Sequence, residues 1–233
     1  MSARCFPQET RSFLAGIAEH NDKAWFAANR TLYEAGYVDA GRAFVAAIGP
    51  ELRAISPTVQ YEARIGGSVM RVNRDTRFSR DKRTYKDHLD LLFWHGERKG
   101  WTQPGFFVRL TASDVWLGSG MHHLEGDLLT RYRNAVMDER SGEALVAAIA
   151  AVEAAGDYAI GSMPRKSVPR GYDRTSPRAR YLLWEGLPAM TRMSMDDALA
   201  PGFGDLVLEH FRHTWPIGRW LMDEVTGAPQ SSG

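Results

Sequence analysis

Cysteine is almost absent from this chain: of 233 residues only Cys5 carries a thiol, which excludes an internal disulfide and a multi-cysteine zinc site. Long apolar runs are missing too. The longest uncharged apolar stretch, Ala144 to Val152, is far shorter than a bilayer demands, so no membrane span is expected. Residues 1–21 carry Glu9, Arg11 and Glu19 and no apolar core of signal-peptide length, and with the lone thiol this points to a cytoplasmic protein. Charge of one sign is also lacking. Lys and Arg total 29 against 28 for Asp and Glu, a net of +1, so any attraction to nucleic acid must be local. Catalytic fingerprints are scarce: there is no P-loop, no dinucleotide glycine fingerprint, no H-E-x-x-H and no G-x-S-x-G. No cofactor is specified, and no tightly held metal is expected. His210-x-x-His213 lacks a carboxylate at ligand spacing, and the neighbours His122 and His123 would point apart on a strand.

What is present suffices for a core, since 44% of the residues are hydrophobic. Helical spacing runs from Pro7 to Ile55 through Phe13, Leu14 and Ile17, then Trp25, Phe26, Leu32 and Tyr33, then Phe44, Ile48, Leu52 and Ile55. Gly36, Gly41 and Gly49-Pro50 are the expected breaks. From Val59 to Val72 the pattern turns to a bulged strand or strand pair, and Leu89–Trp94, Phe106–Thr111 and Val115–Leu117 read as an antiparallel meander, with Arg109 facing away. Helices return at Glu125–Glu139 and Gly142–Ala155. Ile160–Pro177 reads as an ordered loop, Leu182–Met193 fits neither period, and Pro201–Val225 reads as a helix interrupted near Trp215-Pro216. The expected fold is a single α+β domain over residues 1–225, an antiparallel sheet packed with N-terminal and C-terminal helices, followed by a frayed tail at 226–233.

The near-neutral total hides two basic segments. Residues 71–86 carry seven basic side chains against Asp75 and Asp81, and residues 164–180 carry six against Asp173, each a net of +5 on an acidic remainder. That layout fits two segments meeting around one anionic ligand, and it also fits two solvated faces paired to acidic neighbours. A strand continued through Arg77 would put Arg71, Asn73, Asp75 and Arg77 on one face, where an Asp between two Arg can orient their planar forks. The same residues suit an Arg-Asp-Arg network that fastens strand to helix.

The run Arg71-Val-Asn-Arg74-Asp75-Thr-Arg77-Phe78-Ser-Arg-Asp81-Lys82-Arg-Thr-Tyr85 resembles the signature R-x-x-R-D-x-R-F-x-x-D/N-K-x-x-Y of the uncharacterised family DUF2461. Three further stretches agree: Asn21-Asp-Lys23-Ala-Trp25-Phe26 with Arg30 and Tyr33, a Gly118-Ser-Gly120 turn before a helix, and Lys166-Ser-Val-Pro169-Arg-Gly171-Tyr172 ahead of Pro177. Thr84 stands where the family usually has Pro, and Met121-His122-His123 replaces its aromatic-x-Pro. The resemblance implies an α+β fold and brings no assigned reaction.

The Arg, Lys, Asp and Tyr groups that remain suit electrostatic binding of phosphate or carboxylate better than nucleophilic catalysis. The candidate ligand-binding residues are Arg71, Arg74, Arg77, Asp81, Lys86, Lys166, Arg170 and Tyr172, and Asp75, Lys82 and Tyr85 are the candidates for catalytic proton transfer. A small anionic ligand is the expected partner. One alternative is a nucleic-acid-binding domain, because Phe78, Tyr85, Tyr172 and Tyr181 interleave with the basic residues as stacking platforms would. Another is an interaction module without chemistry, in which the arginines are architecture and Tyr85 packs its ring.

Overall fold

The computed structural model describes residues 4–75, 82–97, 102–162 and 164–227. Helix α1 (Gln8–His20) buries Phe13, Leu14 and Ile17, the stripe that its spacing requires, and ends at Asn21 in the left-handed region, φ 40°. Asn is one of the few side chains that tolerates this conformation. Helix α2 (Lys23–Ala28) starts at once behind Asp22, whose carboxylate accepts the Trp25 N–H at 2.8 Å. Helix α3 (Arg30–Tyr33) leads through a π-helical stretch, Glu34–Asp39, into α4 (Ala40–Ile55). The expected breaks at Gly36, Gly41 and Gly49-Pro50 are therefore not breaks. Helix α4 buries Phe44, Val45, Ile48, Leu52 and Ile55, and at about 1.5–3 kcal/mol per large side chain that burial outweighs the ~3 kcal/mol an internal proline costs.

The meander forms as its pattern predicts, as β1 (Leu89–Phe93), β2 (Gly105–Leu110) and β3 (Asp114–Met121). Two further strands, β4 (Ala159–Ser162) and β5 (Gly186–Ser194), complete an antiparallel sheet of order β1-β2-β3-β5-β4, with Ala159 opposite Met190 and Ile160 opposite Ala189. The expected loop at Ile160–Pro177 thus begins inside a strand, and the ambiguous Leu182–Met193 ends one 3-10 turn (Ala179–Leu183) and enters β5. The expected strand at Val59–Val72 is reduced to isolated bridges, Ile65 with Val69, Val69 with Leu91 and Asn73 with Tyr85. Gly118-Ser-Gly120 is not a turn: it lies within β3. There a Cβ at Gly118 would sit 2.0 Å from the Ala189 carbonyl oxygen, so glycine is what allows β5 to come so close.

Helices α5 (Gly126–Met137) and α6 (Glu139–Ala155) follow β3, and α7 (Met195–Leu199) and α8 (Phe203–Trp220) follow β5. No interruption occurs at Pro216, which lies inside α8. A last π-helical stretch covers Leu221–Thr226. No described helix is long and apolar enough to cross a membrane.

The chain divides into two compact units. The first takes Met1–Phe93, Phe107–Leu117 and Arg192–Glu209, and the second Trp94–Phe106, Gly118–Thr191 and His210–Gly233. Phe13, Leu14, Ile17, Tyr37, Phe44 and Leu52 are fully buried in the first. In the second the core gathers Leu124, Tyr132, Val136, Leu145, Leu182, Ile217 and Leu221.

The second unit also buries His95, a residue that the sequence pattern does not mark. Its Nδ1 lies 2.7 Å from the Pro104 carbonyl oxygen, its ring stacks on Trp215, and burial pushes its pKa down to about 4. A histidine that stays neutral when folded but takes a proton when unfolded favours the unfolded chain in acid. The native state should therefore lose up to about 3 kcal/mol between roughly pH 6.5 and pH 4, and His95→Gln should flatten that part of the curve. Urea titrations across this range check it, and equal slopes for both proteins would refute it.

Candidate functional site

Two strand-like segments of the first unit, 68–74 and 84–92, run antiparallel, and the register between them breaks once. Ser68 pairs with Leu92 and Met70 with Asp90, through Leu92 N–H to Ser68 O at 2.9 Å and Met70 N–H to Asp90 O at 3.0 Å. Beyond the break, Lys86 N–H donates to Val72 O at 2.8 Å and Arg74 N–H to Thr84 O at 3.0 Å. One segment thus advances two residues, Met70 to Val72, while its partner advances four, Lys86 to Asp90. The surplus is Asp87-His88. A bulge of this kind re-aims side chains, and here Lys86, Asp87 and His88 all line one cleft although a regular strand would alternate them. Arg74, Asp75 and Arg83 complete the lining of this space of about 370 Å³.

Asp90 stands behind the bulge. Its carboxylate accepts from Arg109 Nε at 2.6 Å and Nη2 at 3.2 Å, and it lies 3.3 Å from His88 Nε2 and 3.5 Å from Lys86 Nζ. Burial alone would raise its pKa. The hydrogen bonds from His88 and Arg109 and the Arg109 charge outweigh that and hold the carboxyl far below the ordinary range. Asp87 is also held low, against the effect of burial, by its bond with His88 Nδ1 at 2.8 Å, its own backbone N–H, and the nearby Arg83, whose Nη1 lies 3.1 Å away. His88 thus has a carboxylate oxygen at each ring nitrogen.

The cleft is pinned from outside by Asn21. Its amide nitrogen donates to Tyr85 O at 3.0 Å and its amide oxygen accepts Tyr85 N–H at 3.0 Å, so one side chain pairs as a strand would. Phe26 stacks on the Tyr85 ring at 4.6 Å and 11°. Tyr37, from the π-helical stretch, donates to Met70 O at 3.0 Å on the opposite segment.

Of the sequence candidates, Arg74, Asp75 and Lys86 meet in this cleft, Arg71 is exposed nearby in sequence, and Lys82 is exposed. Arg77 and Asp81, with Phe78, lie outside the described residues. Tyr85 has a buried ring, in keeping with packing, and Tyr181 is buried as well, so neither offers the free face that base stacking requires. Lys166, Arg170 and Tyr172 belong to the second unit, where Tyr172 donates to Asn134 Oδ1 at 2.9 Å. His210 and His213 share a partner there, the Tyr158 hydroxyl, at 2.6 and 3.0 Å from their Nδ1 atoms. Among the described residues no group of three or more His, Cys, Asp or Glu side chains is placed to hold a metal ion.

Residues 9–220 match the model of a family described as conserved hypothetical protein, DUF2461. The chain belongs to this family. None of the curated proteins compared with it matches. Two stretches of DUF2461 resemblance that lie far apart in sequence, the one that opens at Asn21 and the one that closes at Tyr85, are joined in space by the Asn21 amide and the Phe26 ring.

His88, Asp90 and Arg109 escaped the sequence reading, though a signal existed. Asp90 is the one charged residue in the apolar run Leu89 to Trp94, and a charge buried in a strand requires a partner. Arg109, the one exposed position in the otherwise half-buried or buried β2, supplies it.

Asn21→Ala removes both partners of the Tyr85 backbone at once. A loss of about 1–3 kcal/mol in unfolding free energy is expected, with part of it recovered in Asn21→Asp, which keeps the acceptor. Urea denaturation measures it. A change within about 0.5 kcal/mol would show that the pair contributes nothing.

Proposed function

We propose that this DUF2461 protein binds a small phosphate- or carboxylate-bearing metabolite in the cleft between Arg74 and His88. The observation that carries the reading is that Arg74, Arg83 and Lys86 converge on one space of about 370 Å³, within the range of small-molecule sites. Asp75 and Asp87 share that lining, so the cationic excess is small, which suits one anionic group rather than a polyanion. Arginine forks grip such a group through paired N–H donors, while a lysine adds a point charge. The clamp of His88 between two carboxylates engages both ring nitrogens, so it fixes the ring as a wall of the cleft and leaves neither nitrogen to exchange a proton with a bound oxyanion. Proton transfer would then fall to Asp75, which lines the cleft, rather than to the buried Tyr85. The burial of Tyr85 and Tyr181 weighs against the nucleic-acid alternative.

The experiment is a thermal melt with inorganic phosphate, sugar phosphates and small dicarboxylates. A cognate ligand at about a hundred times its Kd should add ~2.7 kcal/mol, or roughly 5–10 °C for a chain of this size. Lys86→Gln and Arg74→Gln should fold and lose most of the shift. The reading fails if no compound moves the melt, or if both variants retain the full shift.

A further inference from the structure

The second unit holds a guanidinium in an arrangement that its own structure does not complete. Arg133 on α5 is mostly buried, and its Nε and Nη2 atoms are shut off from solvent with no hydrogen-bond acceptor. Those two groups form one edge of the fork, the edge that receives a carboxylate side-on. The nearest carboxylate oxygen, Glu185 Oε1, lies 3.6 Å from Nη2, beyond hydrogen-bond reach. That same oxygen is taken by Arg165 Nη1 at 2.7 Å. Two arginines therefore compete for one carboxylate. The half-exposed Arg165 holds it, although the Nε–Nη2 edge of Arg133, shut off from solvent, gains more from it.

We infer that Arg165 and its neighbour Lys166 form a second anion-binding subsite, in which a phosphate-sized oxyanion on a small molecule displaces Glu185 from Arg165 and hands it to Arg133. The balance of charge supports this. Arg165 and Arg133 leave one positive charge unmatched by Glu185, and Lys166 and Arg170 are exposed and have no ion pair among the described residues. The segment that carries them is anchored beside Arg133, through Tyr172 to Asn134 Oδ1 at 2.9 Å and through Arg178 Nη2 to the Met137 carbonyl at 3.2 Å. An anion on Arg165 repays its own binding and also releases Glu185 to close the few tenths of an ångström that separate it from the orphaned edge. Arg133 is thus a positioning residue, felt by a ligand it does not touch. This subsite explains the second basic segment without calling on the cleft of the first unit.

The probe is inorganic phosphate, followed by NMR of the arginine Nε–H groups on the Arg74→Gln background, so that binding in the first cleft is not read. Arg165 and Arg133 resonances should both move, with one shared Kd. Arg133→Met should weaken phosphate by about tenfold, and Arg165→Gln should abolish the response at Arg133. Movement of Arg165 alone, unchanged affinity in Arg133→Met, or no response at either arginine would overturn the inference. The wild-type Arg133 signal decides the matter even if Arg133→Met does not fold. Because the proposed cleft is disabled in this background, a negative result here leaves the first reading intact, and the reverse holds for the melts above.

Discussion

A single buried carboxylate organises the first unit. Asp90 lies in a strand otherwise built of apolar residues, and an unpaired charge there would cost several kcal/mol. Arg109, His88 and Lys86 are drawn to it from β2 and from the segment just before β1. Each of these side chains spends rotamer freedom to reach it, and each is thereby held still. A cleft whose walls are already fixed binds with less entropy to lose, which is the physical reason for a buried charge beside a cavity.

The same logic explains why the register breaks where it does. In a regular strand Asp87 would face away from Lys86 and His88, and no imidazole could stand between two carboxylates. With the two surplus residues, the strand bends and the three consecutive side chains share a wall. Such a break needs support from outside. Asn21 supplies it by pairing with the Tyr85 backbone immediately ahead, and Tyr37 holds Met70 across the gap. The left-handed turn after α1 is therefore a part of the site: it aims the Asn21 amide at the strand it must hold.

How much of this was legible in the sequence depends on whether the signal was local. The α1 stripe and the meander are local patterns, and both are where their periods placed them. Pro50, Pro216 and Gly118 misled, because local propensity there opposes tertiary packing and packing prevails: two helices run on through proline, and a supposed glycine turn is a strand pressed against β5. The candidate site was legible as composition but not as partners. Arg74, Asp75 and Lys86 stand out by charge, whereas the bond of Asn21 to Tyr85 crosses 64 positions and His88 stands in no motif. Tyr85, a candidate for proton transfer from its place three residues after Lys82, has a buried ring stacked on Phe26, a partner that no local pattern shows.

Asp90→Asn separates a cleft prepared by Asp90 from simple electrostatics, because the two give opposite signs. Removing a negative charge raises the local potential and by Coulomb attraction alone should tighten an anion. If Asp90 instead holds Lys86 and His88 in register, the variant should bind more weakly in spite of its extra positive charge. Calorimetric titration of wild type and Asp90→Asn with the phosphate- or carboxylate-bearing ligand that shifts the melt most should show a Kd raised by about tenfold, or ~1.4 kcal/mol, in a variant that remains folded. A Kd that is unchanged or lowered would show that Asp90 does not prepare the cleft.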